Sequence, residues 1–259
     1  MAEWSSYVLS DFLPFSLETY QRLGVLYNAR FSAVIVVGFG IGVLAVLLLW
    51  RPRPRRLRLV LLGLGLCWLW ISWAYQLQTL APLLWAGELF AIAFALQSGL
   101  LLATAVCSGP GWSPGLSPGL SPGLAPRLLA PRLAAQGLAD RSPLGFWLGY
   151  GMLVFAVLLL PLIELAAGRP WPGLSLFGSA ATPTAIGTLG LVAVLAPRCS
   201  LLLMPIPLLW CLVVSLLQLG LGDPLWSLPG VAVLIGLAAA LLSWQTDRDQ
   251  QRSIDEMLD

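Results

Sequence analysis

The chain has 259 residues, of which 58% are hydrophobic and 10% charged, with a formal net charge of +2. Soluble domains carry roughly 25% charged residues, so a water-exposed globule is excluded, and so small a net charge argues against a nucleic-acid partner. All 14 basic residues are Arg and there is no His, which excludes zinc, haem and triad chemistry that depends on imidazole.

From the N-terminus, Met1-Ala2-Glu3-Trp4 opens no basic n-region or short apolar stretch with a cleavage site, so no removed signal peptide is expected. Residues 1–30 mix polar and aromatic side chains. Ser16 is placed to cap a short helix carrying Leu17, Tyr20 and Leu23, and the pattern predicts an interfacial amphipathic helix. Crossing a bilayer takes about 20 apolar residues, and seven stretches are candidates: 31–50, 58–76, 82–107, 144–167, 183–197, 200–219 and 227–245. The fifth is the weakest, being short and containing Gly187 and Gly190. Pro205 and Pro207 predict a kink early in the sixth.

The expected fold is all-α: a polytopic membrane bundle of seven transmembrane helices. Arg51, Arg53, Arg55, Arg56 and Arg58 put the first connection on the cytoplasmic side. Seven spans then leave the N-terminus outside and the C-terminus inside. Arg127, Arg132, Arg141, Arg198, Arg248 and Arg252 also fall inside, against Arg22, Arg30 and Arg169 outside. Trp50, Trp147 and Trp244 mark inner ends and Trp73, Trp85, Trp171 and Trp226 outer ones, as aromatic belts do. The organisation read from the sequence is an interfacial segment 1–30, helices one to three over 31–107, a Pro/Gly repeat loop over 108–143, helices four to seven over 144–245, and a polar cytoplasmic tail over 246–259. The loop repeats Ser-Pro-Gly-Leu three times from Ser113, then Ala-Pro-Arg-Leu from Ala125 and Ala130. Such tetrads build no core and read as a disordered spacer. Cys67, Cys107, Cys199 and Cys211 form no CxxC or metal-ligand cluster and read as small buried hydrophobes.

Chemistry is scarce. Glu88 and Glu164 are the acidic residues inside the apolar stretches, and an ionisable group at membrane depth marks function by default. Both are expected in the outer half of the bilayer. Glu88 shares a helical face with Ile92, Ala95, Gly99 and Ala103, and the small residues from Ala91 onward form a packing seam that predicts Glu88 pointing into the bundle. Glu164 follows Pro161, which loosens its helix. Arg30 and Arg169 are candidates for structural ion pairs with these carboxylates. The segment 168–184, GRPWPGLSLFGSAATPT, is too apolar for a solvated loop and too broken for a helix. It reads as a packed lid, with Thr182 and Thr184 joining Glu88 and Glu164 as candidate substrate- or ion-binding residues.

The stretches SDFLPFSLETYQRLGVLYNARF and LFGSAATPTAIGTLGLVAVL, with the arginine-rich first loop, resemble a bacterial family of polytopic inner-membrane proteins known as a domain of unknown function, number six-zero-six-four. The most specific pieces are Phe15 through Asn28 and Phe177 through Gly190. The family pattern commonly has Cys before the Pro-Thr pair, where this chain has Ala181-Thr182-Pro183-Thr184, so the resemblance implies no thiol chemistry here. It implies a seven-helix protein of the bacterial inner membrane and no established activity. No metal, cofactor or enzymatic reaction is expected. The partners expected are the bilayer and, for docking seams such as Gly38/Gly42 and Gly145/Gly149, other membrane subunits or a second copy. Two functional expectations follow: a small-solute or ion permease using buried carboxylates, or an accessory or assembly subunit of a larger membrane complex. An intramembrane enzyme ranks last, because no nucleophile–base pair accompanies the carboxylates.

Overall fold

The computed structural model describes residues 15–107, 143–195 and 202–258, and every regular element among them is helical. The expectations for residues 1–14 and for the repeat loop lie outside the described residues. Helix α1 (Leu17–Arg30) starts where its cap predicts, with Ser16 Oγ accepting from the Thr19 N–H at 3.3 Å. It leads into α2 (Ser32–Leu49). Helix α3 (Pro54–Trp70) continues as a π-helix over Ile71–Leu80, and α4 (Ala86–Cys107) returns. Helix α5 (Pro143–Val154) passes through a π-helical turn, Phe155–Leu159, into α6 (Leu160–Ala166). Pro161 supplies no N–H to the Val157 carbonyl, which lies in that turn; the loosening expected at Glu164 itself is not seen, since α6 is α-helical from Leu160 to Ala166. Then follow α7 (Ala181–Val194), α8 (Pro205–Gly220) and α9 (Ser227–Leu258).

Four rods are long and apolar enough to cross a membrane: Ser32–Leu49, Pro54–Leu80, Ala86–Val106 and Leu144–Ala166. Helices α7, α8 and the Ser227–Leu242 part of α9 are apolar but shorter. Val36, Leu47, Ile92, Leu162 and Leu234 are each at least 60% exposed on the outside of the bundle. Apolar surface on that scale is a liability in water and a match for lipid. Trp50 and Trp147 stand exposed beside each other, ring centroids 6.0 Å apart, as an aromatic belt at one end requires.

The centre of the bundle is α7, the stretch that looked weakest as a span. Every residue of it except Thr182 is buried. A helix apolar all round belongs in the interior, and in lipid it is held by close packing and polar contacts, because lipid tails are as apolar as the side chains. Both kinds of contact are present. A Cβ added to Gly149 would lie 2.5 Å from the Gly190 carbonyl oxygen, so α5 and α7 cross with backbones touching. Trp68 Nε1 donates to Thr188 Oγ1 at 2.9 Å, and that hydroxyl donates to the Thr184 carbonyl at 2.6 Å. Gly38, Gly42 and Gly149 are therefore filled from within the chain.

One expectation is refined and another corrected. Pro205 and Pro207 stand in the first turn of α8, where a missing N–H breaks no helical bond, and the early interruption expected of them is the bend at Met204, between helical Leu203 and Pro205. Pro207 cannot supply the Leu203 carbonyl four residues back, and Gln97 Nε2 donates to it instead at 3.1 Å. The second concerns α4. Its buried face carries Ala91, Phe94, Gln97, Ser98 and Leu101, while Glu88, Ile92, Ala95 and Gly99 face outward. Phe94 packs edge-on against Trp68 and Trp210, and Ser98 Oγ donates to the Gly65 carbonyl at 2.7 Å. Aromatic bulk and polar bonding decide the face, and the small-residue stripe does not.

Candidate functional site

Between α6 and α7 the chain forms the lid, residues 167–180, with a 3-10 turn at Trp171–Gly173. Leu174, Phe177, Gly178 and Ser179 are buried, so the lid is packed into the bundle. Gly178 has φ +79, a conformation costly for any residue with a Cβ. A Cβ there would also sit 2.7 Å from Gly38 backbone atoms. Gly38 is six residues past Ser32, about 9 Å down α2 at about 1.5 Å per residue. The lid therefore descends into the bundle before α7 starts.

Residues of α1 pin the lid. Asn28 Nδ2 donates to the Pro172 and Leu174 carbonyls at 2.7 and 2.9 Å. The Tyr27 hydroxyl donates to the Ser179 carbonyl at 3.1 Å and accepts from Trp70 Nε1 at 3.0 Å. Burial pushes the Tyr27 phenol up to about 12, against a smaller opposing pull from the Trp70 hydrogen bond, so it stays a neutral donor near pH 7. Asn28→Ala is expected to free two lid carbonyls and cost about 1–3 kcal/mol. Hydrogen exchange of lid amides at residues 173–180 should then accelerate; unchanged protection would show that Asn28 does not hold the lid.

Charged groups pin the other side. Glu164 is buried at the end of α6. Its Oε1 accepts from Arg169 Nη1 at 2.6 Å and its Oε2 from the Ser175 N–H at 2.6 Å. Arg169 Nη2 also pairs with Asp223 Oδ2, and Asp223 Oδ1 accepts from the Leu225 N–H at 2.9 Å. One guanidinium thus ties the lid to α6 and to the α8–α9 turn. Asp223 is the partner that sequence reasoning missed; the signal was its place just past the sixth span, level with Glu164.

Under the lid lies a cleft of about 60 Å³. Tyr20, Tyr75 and Arg169 line it, together with Ala181, Thr182 and Trp210. Tyr20 and Tyr75 both face it, and burial raises the Tyr20 phenol above its ordinary value. Of the expected site residues, Thr182 lines the cleft. Thr184 is fully buried and committed: its Oγ1 donates to the Ala180 carbonyl at 2.8 Å and accepts from the Gly178 N–H at 2.9 Å. Glu164 is occupied by Arg169 and Ser175. Glu88 is exposed in the first turn of α4, where it suits the helix dipole, and it lines no part of the cleft. Arg30 makes no ion pair among the described residues and lies 5.1 Å from the Phe31 ring centroid. Trp210 and Tyr20 were not singled out by the sequence. The one hint for Trp210 was a tryptophan far from either predicted belt.

Residues 132–251 match the Family of unknown function (DUF6064). The resemblance read from the sequence is borne out over that range. The matched region includes the lid, α7, Trp210 and all three members of the Glu164–Arg169–Asp223 cluster. No curated protein and no solved structure matches the chain. The fold and the match together describe a helical protein with four helices apolar enough to cross a membrane, part of which is similar to a family of unknown function.

Proposed function

We propose that the chain is a seven-span protein of the bacterial inner membrane, N-terminus outside and C-terminus inside, that acts as a permease for a small polar solute admitted beneath the lid. The observation that carries this reading is the broken span. Helix α7 covers 14 residues, about 21 Å, against a hydrocarbon core of about 30 Å. The lid's descent of about 9 Å supplies the remainder. Irregular backbone at such depth survives where it is buried in protein or lines a cavity, and interrupted spans are where transporters hold their solutes. The arginine asymmetry supports the stated orientation.

Reconstitution into proteoliposomes and a counterflow screen of small solutes tests the reading, and flux of none above protein-free vesicles would end it. Because Glu88 faces away from the cleft, Glu88→Gln is expected to leave any such flux within about twofold, and abolished flux would return Glu88 to the pathway. An accessory-subunit reading has one observation behind it. Gly99 and Gly151 face open space on the outside of α4 and α5, as small residues do at a helix-docking surface. Purification in mild detergent followed by mass spectrometry distinguishes the two readings.

A further inference from the structure

The floor of the cleft holds hydrogen-bond donors with no acceptor among the described residues. Helix α7 begins there, its residues Ala181 and Thr182 lining the cleft. As the first residues of the helix they have N–H groups with no intrahelical acceptor. Ala180 occupies the N-cap, where Ser, Thr, Asp or Asn is preferred, and no side chain caps the helix. A second donor is independent of the helix end. Trp210 lines the same cleft, is 4% exposed, and its Nε1 has no hydrogen-bond partner among the described residues. Buried indole N–H groups normally find one. Trp210 lies ten residues before Gly220, about 15 Å below the end of α8, so this donor is deep in the bundle.

We propose that this floor binds the carboxylate group of a small solute, the bound oxygens accepting from the Ala181 and Thr182 N–H groups and from Trp210 Nε1. Uncapped helix N-termini favour anions through both their free donors and the helix dipole. Of the Glu164–Arg169–Asp223 cluster only Arg169 lines the cleft, so the charged group that a solute meets toward the lid is a guanidinium, which also complements a carboxylate. The proposal rests on the solute-permease reading and names its substrate class.

The test is thermal stability of the purified full chain in detergent, titrated with acetate, glycine and chloride at constant ionic strength. Acetate and glycine are expected to raise Tm in a saturable way that chloride does not reproduce. Trp210→Phe keeps the aromatic packing on Phe90 and Phe94 while deleting the donor, and is expected to weaken carboxylate affinity at least tenfold. Ala180→Asp supplies an internal cap and should abolish the carboxylate shift while raising the ligand-free Tm. Chloride matching the carboxylates, or full affinity in Trp210→Phe, would overturn the assignment. Carboxylate binding without flux in proteoliposomes would uphold the site and refute the permease; flux of solutes lacking a carboxylate, with no carboxylate shift, would do the reverse.

Discussion

Arg169→Gln is expected to be among the most damaging single substitutions in this protein, costing about 3–5 kcal/mol. The side chains of Glu164 and Asp223 are 5% and 1% exposed, and Arg169 is the cation each pairs with. Removing it leaves two buried carboxylates without their counterion, and the loss of an uncompensated partner is what makes a broken buried pair expensive. The decisive comparison is the triple variant Arg169→Gln, Glu164→Gln, Asp223→Asn, which removes the stranded charges as well. It should recover much of the loss, because members of one network are strongly non-additive. Tm or reversible unfolding in mixed micelles reads both variants. A triple variant as unstable as Arg169→Gln would mean that Arg169 acts through its packing, not its charge.

The second large effect is expected from two glycines only two residues apart. An added Cβ on Gly149 meets the Gly190 carbonyl oxygen and the Ala193 side chain, whereas one on Gly151 meets nothing within 4 Å. Gly149→Val is therefore expected to cost at least about 1–3 kcal/mol, since backbone relieves overlap less readily than a flexible side chain. Gly151→Val should fall within about 0.5 kcal/mol of the parent, as surface substitutions do. Equal stability of the two variants would contradict the α5–α7 crossing.

The presence and apolar character of the long helices were legible because hydropathy alone reports them. The cap at Ser16 was legible too, because a hydroxyl three residues from a free N–H is a local fact. Which face of α4 turns inward was not. Of its small residues at four-residue spacing Ala91 is buried while Ala95 and Gly99 face outward, and the choice rests on Phe94, Gln97 and Ser98 finding Trp68, Leu203 and Gly65, residues far away in the chain. The same is true of the prolines of α8, whose effect depended on where the helix begins.

The candidate site divides along the same line. Composition and the broken apolar segment 168–184 were enough to mark a lid at membrane depth, and Glu164 and Arg169, five residues apart, were enough to propose a pair. Asp223 as second partner, Glu88 facing outward, and the unpartnered Trp210 N–H in the same cleft as the uncapped α7 start came only from the tertiary structure.

What the sequence determined by itself is the medium the protein lives in, the existence of its helices and the place where they break. These depend on apolar content and on proline and glycine chemistry, which act within a few residues. What the tertiary structure decided is which polar groups meet. In a bundle surrounded by lipid the apolar faces are nearly interchangeable, so a few long-range contacts select the arrangement: Gly149 on Gly190, Trp68 on Thr188, and Arg169 between Glu164 and Asp223.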